Sequence, residues 1–423
     1  MTILPHGVKD ILPNDSSKMR FVEEVTLDTF SRWGYRRVIT PIIEYEDILS
    51  KGIDNEIKGE ILKFVEPETG RILALRPDIT PQIARMMASR MRADPMPVRL
   101  CYSESVFRCT GRPTMKHKEI FQSGAELIGL GLSEADGEIV AIAIEAMKSL
   151  SLQEFKIDIG DVGFLGGILE DIEIEEGLKN ALMKSIALKD RSGLEQLLRD
   201  LSIDDLKKRL LIELPSLYGK GEEVLKRASC LVKNRRSLKA LNNLEQILNI
   251  LELYGLKEFI TVDLGEVSGF DYYSGMVFEG FVKGIGRGIV RGGRYDNLLE
   301  QYGYSCPAVG FAFDVDGLLN AMDVRKVLQE EDKIDFLLFS AKEEKKEALD
   351  IAMSLREKKY TVARDIIKRD YEASFEYSVK NRIDSIISLG LEGLDDDMVM
   401  LEKVMTREKR EIKIKDILQG IGL

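Results

Sequence analysis

Met19, Val22, Thr26, Phe30 and Trp33 follow one another at spacings of three or four, behind an Asn14-Asp15-Ser16-Ser17 cluster and ahead of Gly34. That period predicts an amphipathic helix capped by the polar cluster and stopped by the glycine. The β-branched run Tyr35-Arg-Arg-Val-Ile-Thr-Pro-Ile-Ile-Glu44 predicts a strand, and Pro41 within it puts that strand at a sheet edge or an interface. Leu73 to Asp78 reads as the end of another strand, followed by a helix with Thr80 as cap and Pro81 in its first turn. The stretches Val98 to Arg108 and Glu119 to Ile128 predict the two strands of a hairpin, and Thr110 to Lys118 between them makes a long basic tip.

From about Gly163 to Leu256 the pattern turns helical and rich in Leu, Lys and Glu, as in Leu194, Leu197 and Leu201 and the run Leu244 to Leu253. A helical insertion is expected there. Strand patterns resume at Phe259 to Leu264, Gly275 to Phe281 and Gly288 to Asp296. The charged stretch Arg325 to Lys333 predicts a linker, and Ile334 to Phe339 with a helical period from about Glu343 to Lys359 opens a β-α unit. The expected organisation is α+β, with a main domain over 1–324, its insertion at about 163–256, and a small α/β domain over 333–423.

Composition narrows the class. With 423 residues, 44% hydrophobic and 31% charged, the chain is a folded multidomain protein rather than a disordered tail, a collagen-like array or a disulfide miniprotein. Lys plus Arg is 61 against Asp plus Glu 72, so the net charge of -11 leaves no global footprint for nucleic acid. Cys101, Cys109, Cys230 and Cys306 have no CxxC spacing, and His6 and His117 are the only histidines. Reduced thiols, no metal and no cofactor are expected. The N-terminal stretch lacks an apolar core and no window approaches the roughly 18 apolar residues of a membrane span, so a cytoplasmic protein is expected.

Three tempting features have plainer readings. Gly284-Ile-Gly286-Arg-Gly288 joins two predicted strands with no GK[ST] behind it, so it reads as a hairpin turn. Asp395-Asp-Asp397 reads as a solvated loop, and Lys233, Arg235, Arg236 and Lys239 as a wet helix face.

The hairpin carries the chemistry. Gln122, Gly124 and Glu126 are two apart and share one sheet face, with Arg108 at the end of the facing strand. Unpaired polar side chains on a sheet floor cost about 1 to 3 kcal/mol each, which implies either a polar ligand or one another as partners. Asp78 and Thr80, and Tyr272 and Tyr273, add acceptors and phenols. Such a set suits a small zwitterion: carboxylates for its amine, Arg108 for its carboxylate, and the remaining acid and phenol for a side-chain donor. A self-satisfied core network is the alternative.

Gly34 to Pro41, Leu75-Arg-Pro-Asp-Ile-Thr80, Val106-Phe-Arg108 with Gln122 and Glu126, Gly269-Phe-Asp-Tyr-Tyr-Ser-Gly275, Gly292-Gly-Arg-Tyr-Asp296 and Ala308-Val-Gly-Phe311 resemble, in order, the landmarks of class II histidyl-tRNA synthetases. The resemblance implies an antiparallel sheet flanked by helices, a helical insertion and a C-terminal domain similar to an anticodon-binding domain. It further implies that Asp78, Thr80 and Gln122 hold a histidine α-amino group, that Glu126 and Tyr272 read the imidazole, and that Tyr273 closes the pocket.

The departures from that pattern concern activation chemistry. Where the synthetase has the arginine that touches the reacting carboxylate and α-phosphate, this chain has Ser268. The motif 3 arginine position is Gly317, the adenine-reading glutamate position is Thr110, and a loop arginine appears as Lys116. Losing one preorganised donor of this kind typically costs a factor of about a hundred to a thousand. The combination, together with Leu75-Arg-Pro-Asp-Ile-Thr-Pro-Gln-Ile-Ala-Arg85, resembles the regulatory subunit of ATP phosphoribosyltransferase. That resemblance implies a non-enzymatic partner of a short catalytic subunit that relays feedback inhibition by free histidine, with a like-with-like dimer through about Val38 to Glu44. Residues 333–423 hold about 18 basic and about 19 acidic side chains, which offers no net basic field for an anticodon. A divergent histidyl-tRNA synthetase, its cation supplied by Lys116, Lys118 or Arg287, and a module sensing tRNA or another amino acid are the competing readings.

Overall fold

The computed structural model describes residues 4–53, 55–109, 117–170, 172, 174–199, 201, 203–266, 272–322, 334–342, 345–367 and 369–419. Two compact units divide the chain, Met1–Met322 and Asp323–Leu423.

The strands of the first unit are β1 (Arg36–Arg37), β2 (Ile43–Tyr45), β3 (Lys63–Val65), β4 (Ile72–Leu75), β5 (Val98–Phe107), β6 (Glu119–Ile128), β7 (Phe155–Asp161), β8 (Tyr218–Gly219), β9 (Ile260–Asp263), β10 (Met276–Val282), β11 (Val290–Arg294) and β12 (Ala308–Asp314). Nine of them form one sheet in the order β1-β5-β6-β12-β11-β10-β7-β9-β8. Its centre is antiparallel, as the hairpin patterns predict, while β1 runs parallel to β5 and β7 parallel to β9. β2, β4 and β3 form a separate small sheet.

The run from Tyr35 to Glu44 is thus two strands rather than one. Pro41 has no N–H to give a ladder, and the chain leaves the large sheet before it and enters the small one after it. The first helix, Pro13–Arg32, also starts earlier than the polar cluster suggests: Leu12 is its N-cap and Pro13 occupies the first turn, where a missing N–H costs nothing.

One face of the large sheet is closed by that helix and by Ser133–Ser149, whose Ile139, Val140, Ile142, Ile144 and Met147 are all fully buried. Thr26 and Ser123 hydroxyls meet at 2.7 Å, and Phe30 packs edge-on against Phe311 at 5.7 Å. Ser123 therefore points at the helices. By strand alternation Gln122, Gly124 and Glu126 emerge on the opposite face.

Helices Val162–Leu169, Glu176–Ala187, Arg191–Arg199, Asp205–Glu213, Gly221–Leu231 and Arg235–Leu253 lie between β7 and β9, and β8 is the one strand among the described residues there. The Gly284 segment joins β10 and β11 as a hairpin turn, with Gly284 at φ +88°. Among the described residues no helix is long and apolar enough to cross a membrane.

The second unit has a five-stranded sheet of β13 (Ile334–Ser340), β14 (Val362–Arg364), β15 (Ile383–Leu389), β16 (Met398–Lys403) and β17 (Lys409–Lys413), ordered β14-β13-β15-β16-β17. Phe336 and Leu338 pack on one side with Ile351 and Leu355 of helix Lys346–Glu357, and Leu337 and Phe339 on the other with Phe375 of helix Tyr371–Lys380.

Candidate functional site

The site begins at the turn between β4 and helix Thr80–Arg90. Arg76, 1% exposed, anchors the turn from below: its Nε donates to Ser105 O at 2.7 Å, Nη1 to Thr40 O at 2.8 Å and Nη2 to Glu104 Oε2 at 2.8 Å. Asp78 then accepts the Thr80 backbone N–H at 3.2 Å. Thr80 is the first helical residue rather than the cap, which leaves its hydroxyl free to donate to Glu126 Oε1 at 2.8 Å. Arg108, just past β5, donates from Nε to Pro77 O at 2.7 Å and from Nη2 to Asp78 Oδ2 at 3.4 Å.

Glu126 is fully buried, and the Tyr295 hydroxyl donates to its Oε2. Burial pushes its carboxyl up to about 8, against the opposing pull of the Tyr295 and Thr80 hydroxyls. The Tyr102 hydroxyl is enclosed near Glu126 and Thr80 without a well-formed hydrogen bond, and burial holds it far above the ordinary phenol range. Tyr272 stands edge-on to Tyr273 at 5.0 Å and tilts against Tyr295 at 6.0 Å. Burial raises both Tyr272 and Tyr273, helped at Tyr272 by the Asp78 charge and opposed at Tyr273 by Arg291, so each stays a neutral donor.

Three glycines let these side chains lie flat on the sheet. A Cβ at Gly310 would sit 1.6 Å from Glu126 Oε2, one at Gly124 2.6 Å from the Tyr102 ring, and one at Gly293 2.8 Å from the Tyr273 ring. Each glycine is a slot for one functional group. Gln122 Oε1, like the Tyr102 hydroxyl, is buried and meets no hydrogen-bond partner among the described residues. A buried amide oxygen left without a donor costs about 1 to 3 kcal/mol.

The structure therefore brings together Asp78, Thr80, Arg108, Gln122, Glu126, Tyr272 and Tyr273. Ser268, Thr110 and Lys116 lie outside the described residues. Gly317 is in the first turn of helix Val315–Ala321, its N–H on Asp314 Oδ1 at 3.1 Å, and a Cβ there would begin 2.9 Å from Ile289 Cγ2. Sequence reasoning missed Tyr102 and Tyr295, which complete the Glu126 cluster. The register that sets Tyr102 opposite Gly124 follows from the hairpin alone, and Tyr295 sits inside the Gly292-Gly-Arg-Tyr-Asp296 landmark.

A large antiparallel sheet with this hairpin, a preceding strand-turn-helix and an acceptor-lined face defines a class II aminoacyl-tRNA synthetase-like protein. The histidyl-tRNA synthetase family profile matches residues 7–318. A histidyl-tRNA synthetase from a Nostoc species superposes with a TM-score of 0.81 over 99% of this chain and 98% of its own at 19% identity, which speaks for the fold. A Bacillus halodurans protein described as an ATP phosphoribosyltransferase regulatory subunit/histidyl-tRNA synthetase superposes with a TM-score of 0.80, covering 92% and 98% at 30% identity. The ATP phosphoribosyltransferase regulatory subunit of Geobacter sulfurreducens is 40% identical over 98% of this chain and 94% of its own. The chain belongs to the family of ATP phosphoribosyltransferase regulatory subunits, within the histidyl-tRNA synthetase-like proteins.

Proposed function

We propose that this chain is a non-catalytic subunit of an ATP phosphoribosyltransferase complex, binding free histidine and relaying it as feedback inhibition to a short catalytic subunit. The observation that carries the reading is Gln122 Oε1, buried on the same sheet face as Glu126 with no donor among the described residues, in a family whose members carry the regulatory-subunit name. The ligand's ammonium takes Gln122 and Asp78, with Thr80 holding the turn and Arg108 fixing Asp78. Its imidazole N–H meets the Glu126 and Tyr272 side of the pocket, with Tyr273 as the wall.

On this reading histidine is an effector. It inhibits only through a difference in affinity between the active and inactive arrangements of the complex, since equal binding to both shifts nothing. At Gly317 any side chain would first have to displace Ile289, whose Cγ2 lies 2.9 Å from where a Cβ would stand, which fits the absence of a long cation there. A like-with-like dimer fits the exposed Ile39, Ile42 and Ile43 around Pro41, which leave an apolar surface to cover.

The test is reconstitution with the short catalytic subunit and titration of histidine against its rate. Gln122→Ala and Glu126→Ala are expected to abolish inhibition while leaving activation of the catalytic subunit largely intact. Variants that respond at the wild-type histidine concentration would sink the pocket assignment.

A further inference from the structure

The sheet face that holds Gln122 and Glu126 continues across the seam to β11. Strand register puts Tyr102 opposite Gly124, Gly124 opposite Ala312, and Ala312 opposite Arg291, so these four form one row on one face. Two positions along β11 is Gly293, under the Tyr273 ring. Arg291 therefore rises beside Tyr273, facing Tyr102 across the small, half-buried Ala312.

Its guanidinium is held but not enclosed. Nη2 donates to Glu279 Oε1 at 2.9 Å, its single hydrogen bond among the described residues, and the side chain is 55% exposed. The neighbouring cations are more committed. Arg108, which the sequence offers to the ligand carboxylate, has Nε on Pro77 O and Nη2 on Asp78, beside the carboxylate proposed for the ammonium. Arg287 pairs with Asp314.

A zwitterion needs opposite charges on opposite sides of its Cα. Two strand spacings of about 4.8 Å put the Arg291 backbone about 10 Å from that of Gly124. An α-ammonium and a carboxylate about 3 Å apart, each with a hydrogen bond of about 2.9 Å, span about 9 Å. Ala312, small and half-buried between them, leaves the sheet floor open to an α-amino acid.

We propose that Arg291 recognises the carboxylate of the amino acid bound in this site, the ammonium lying toward Gln122 and Asp78 on the other side of Ala312. Glu279, on the neighbouring β10, is the positioning residue that holds one edge of the guanidinium and leaves the other free among the described residues. The inference rests on the reading of the pocket as an amino-acid site.

The experiment is calorimetric titration of the full chain, wild type, Arg291→Gln and Arg291→Lys, with histidine and with histamine, which keeps the ammonium and imidazole and lacks the carboxylate. The wild type is expected to bind histidine at least about tenfold more tightly than histamine. Arg291→Gln is expected to weaken histidine by about tenfold to a hundredfold and leave histamine unchanged, the loss typical of a charge-assisted hydrogen bond, with Arg291→Lys recovering part of it. Histidine binding at wild-type strength by Arg291→Gln overturns the assignment, and so does an equal loss for both ligands, which marks a structural role. A wild type that binds neither ligand removes the amino-acid-site reading itself, and the inference with it.

Discussion

The Thr80 hydroxyl donates to Glu126 Oε1 at 2.8 Å across 46 positions of chain. This bond ties the first turn of helix Thr80–Arg90 to β6, so the Asp78 turn and the Gln122 to Glu126 face are held as one body. Removing the hydroxyl leaves a buried carboxyl with one donor fewer. Thr80→Val is expected to cost about 1 to 3 kcal/mol in urea unfolding, and Thr80→Ser to retain most of the stability. Equal losses for both would mean that the methyl group, not the bond, matters.

Glu126 makes the ligand-free protein sensitive to alkali. Its carboxyl titrates near 8 when folded and near the ordinary 4.5 when unfolded. Between those values the folded state holds a proton that the unfolded chain has released, so this contribution to stability is complete below the window and is lost as pH rises through it. Asp136 and Asp158, pushed up to about 6 and about 7, act in the same sense, so the informative quantity is a difference. Glu126→Gln should flatten the fall in unfolding midpoint between pH 5 and pH 8 relative to the wild type. Parallel curves would show that Glu126 is ionised throughout.

Gly310 and Glu126 should behave as a coupled pair. Gly310→Ala puts a methyl carbon where Glu126 Oε2 lies and is expected to cost about 1 to 3 kcal/mol or more. The double variant with Glu126→Ala frees that space, so its loss should be smaller than the sum of the two single losses, by at least about 0.5 kcal/mol. Simple additivity would place the strain elsewhere.

Histidine-dependent exchange of pyrophosphate into ATP separates a sensor from a synthetase. The purified chain is expected to give none above a control freed of host synthetase, with Ser268→Arg run alongside. Robust exchange by the wild type would make the chain a synthetase with a relocated cation.

Much of this arrangement was legible in local patterns. The period-two hairpin put Gln122 and Glu126 on one face, and ordered landmarks placed Asp78, Tyr272 and Tyr273 beside them. Features that depend on which strands become neighbours were not. Tyr295 reaches Glu126 because β11 lies two strands from β6, and Arg291 joins the same face for the same reason. Pro41 marked an interruption but not that the chain changes sheets there. The polar cluster at Asn14 to Ser17 looked like a cap, yet Pro13 could begin the helix without losing a hydrogen bond.

Tyr295 and Glu126 stand 169 positions apart and meet across the β6–β12–β11 seam, with the helical stretch threaded between them. A pairing that spans so much chain carries a large loop-closure entropy that the finished sheet must offset. The pocket therefore depends on the whole seam being in place, and no fragment lacking either side of it can present it. An effector bound there would act as a clasp on the finished sheet, raising resistance to unfolding in step with its concentration.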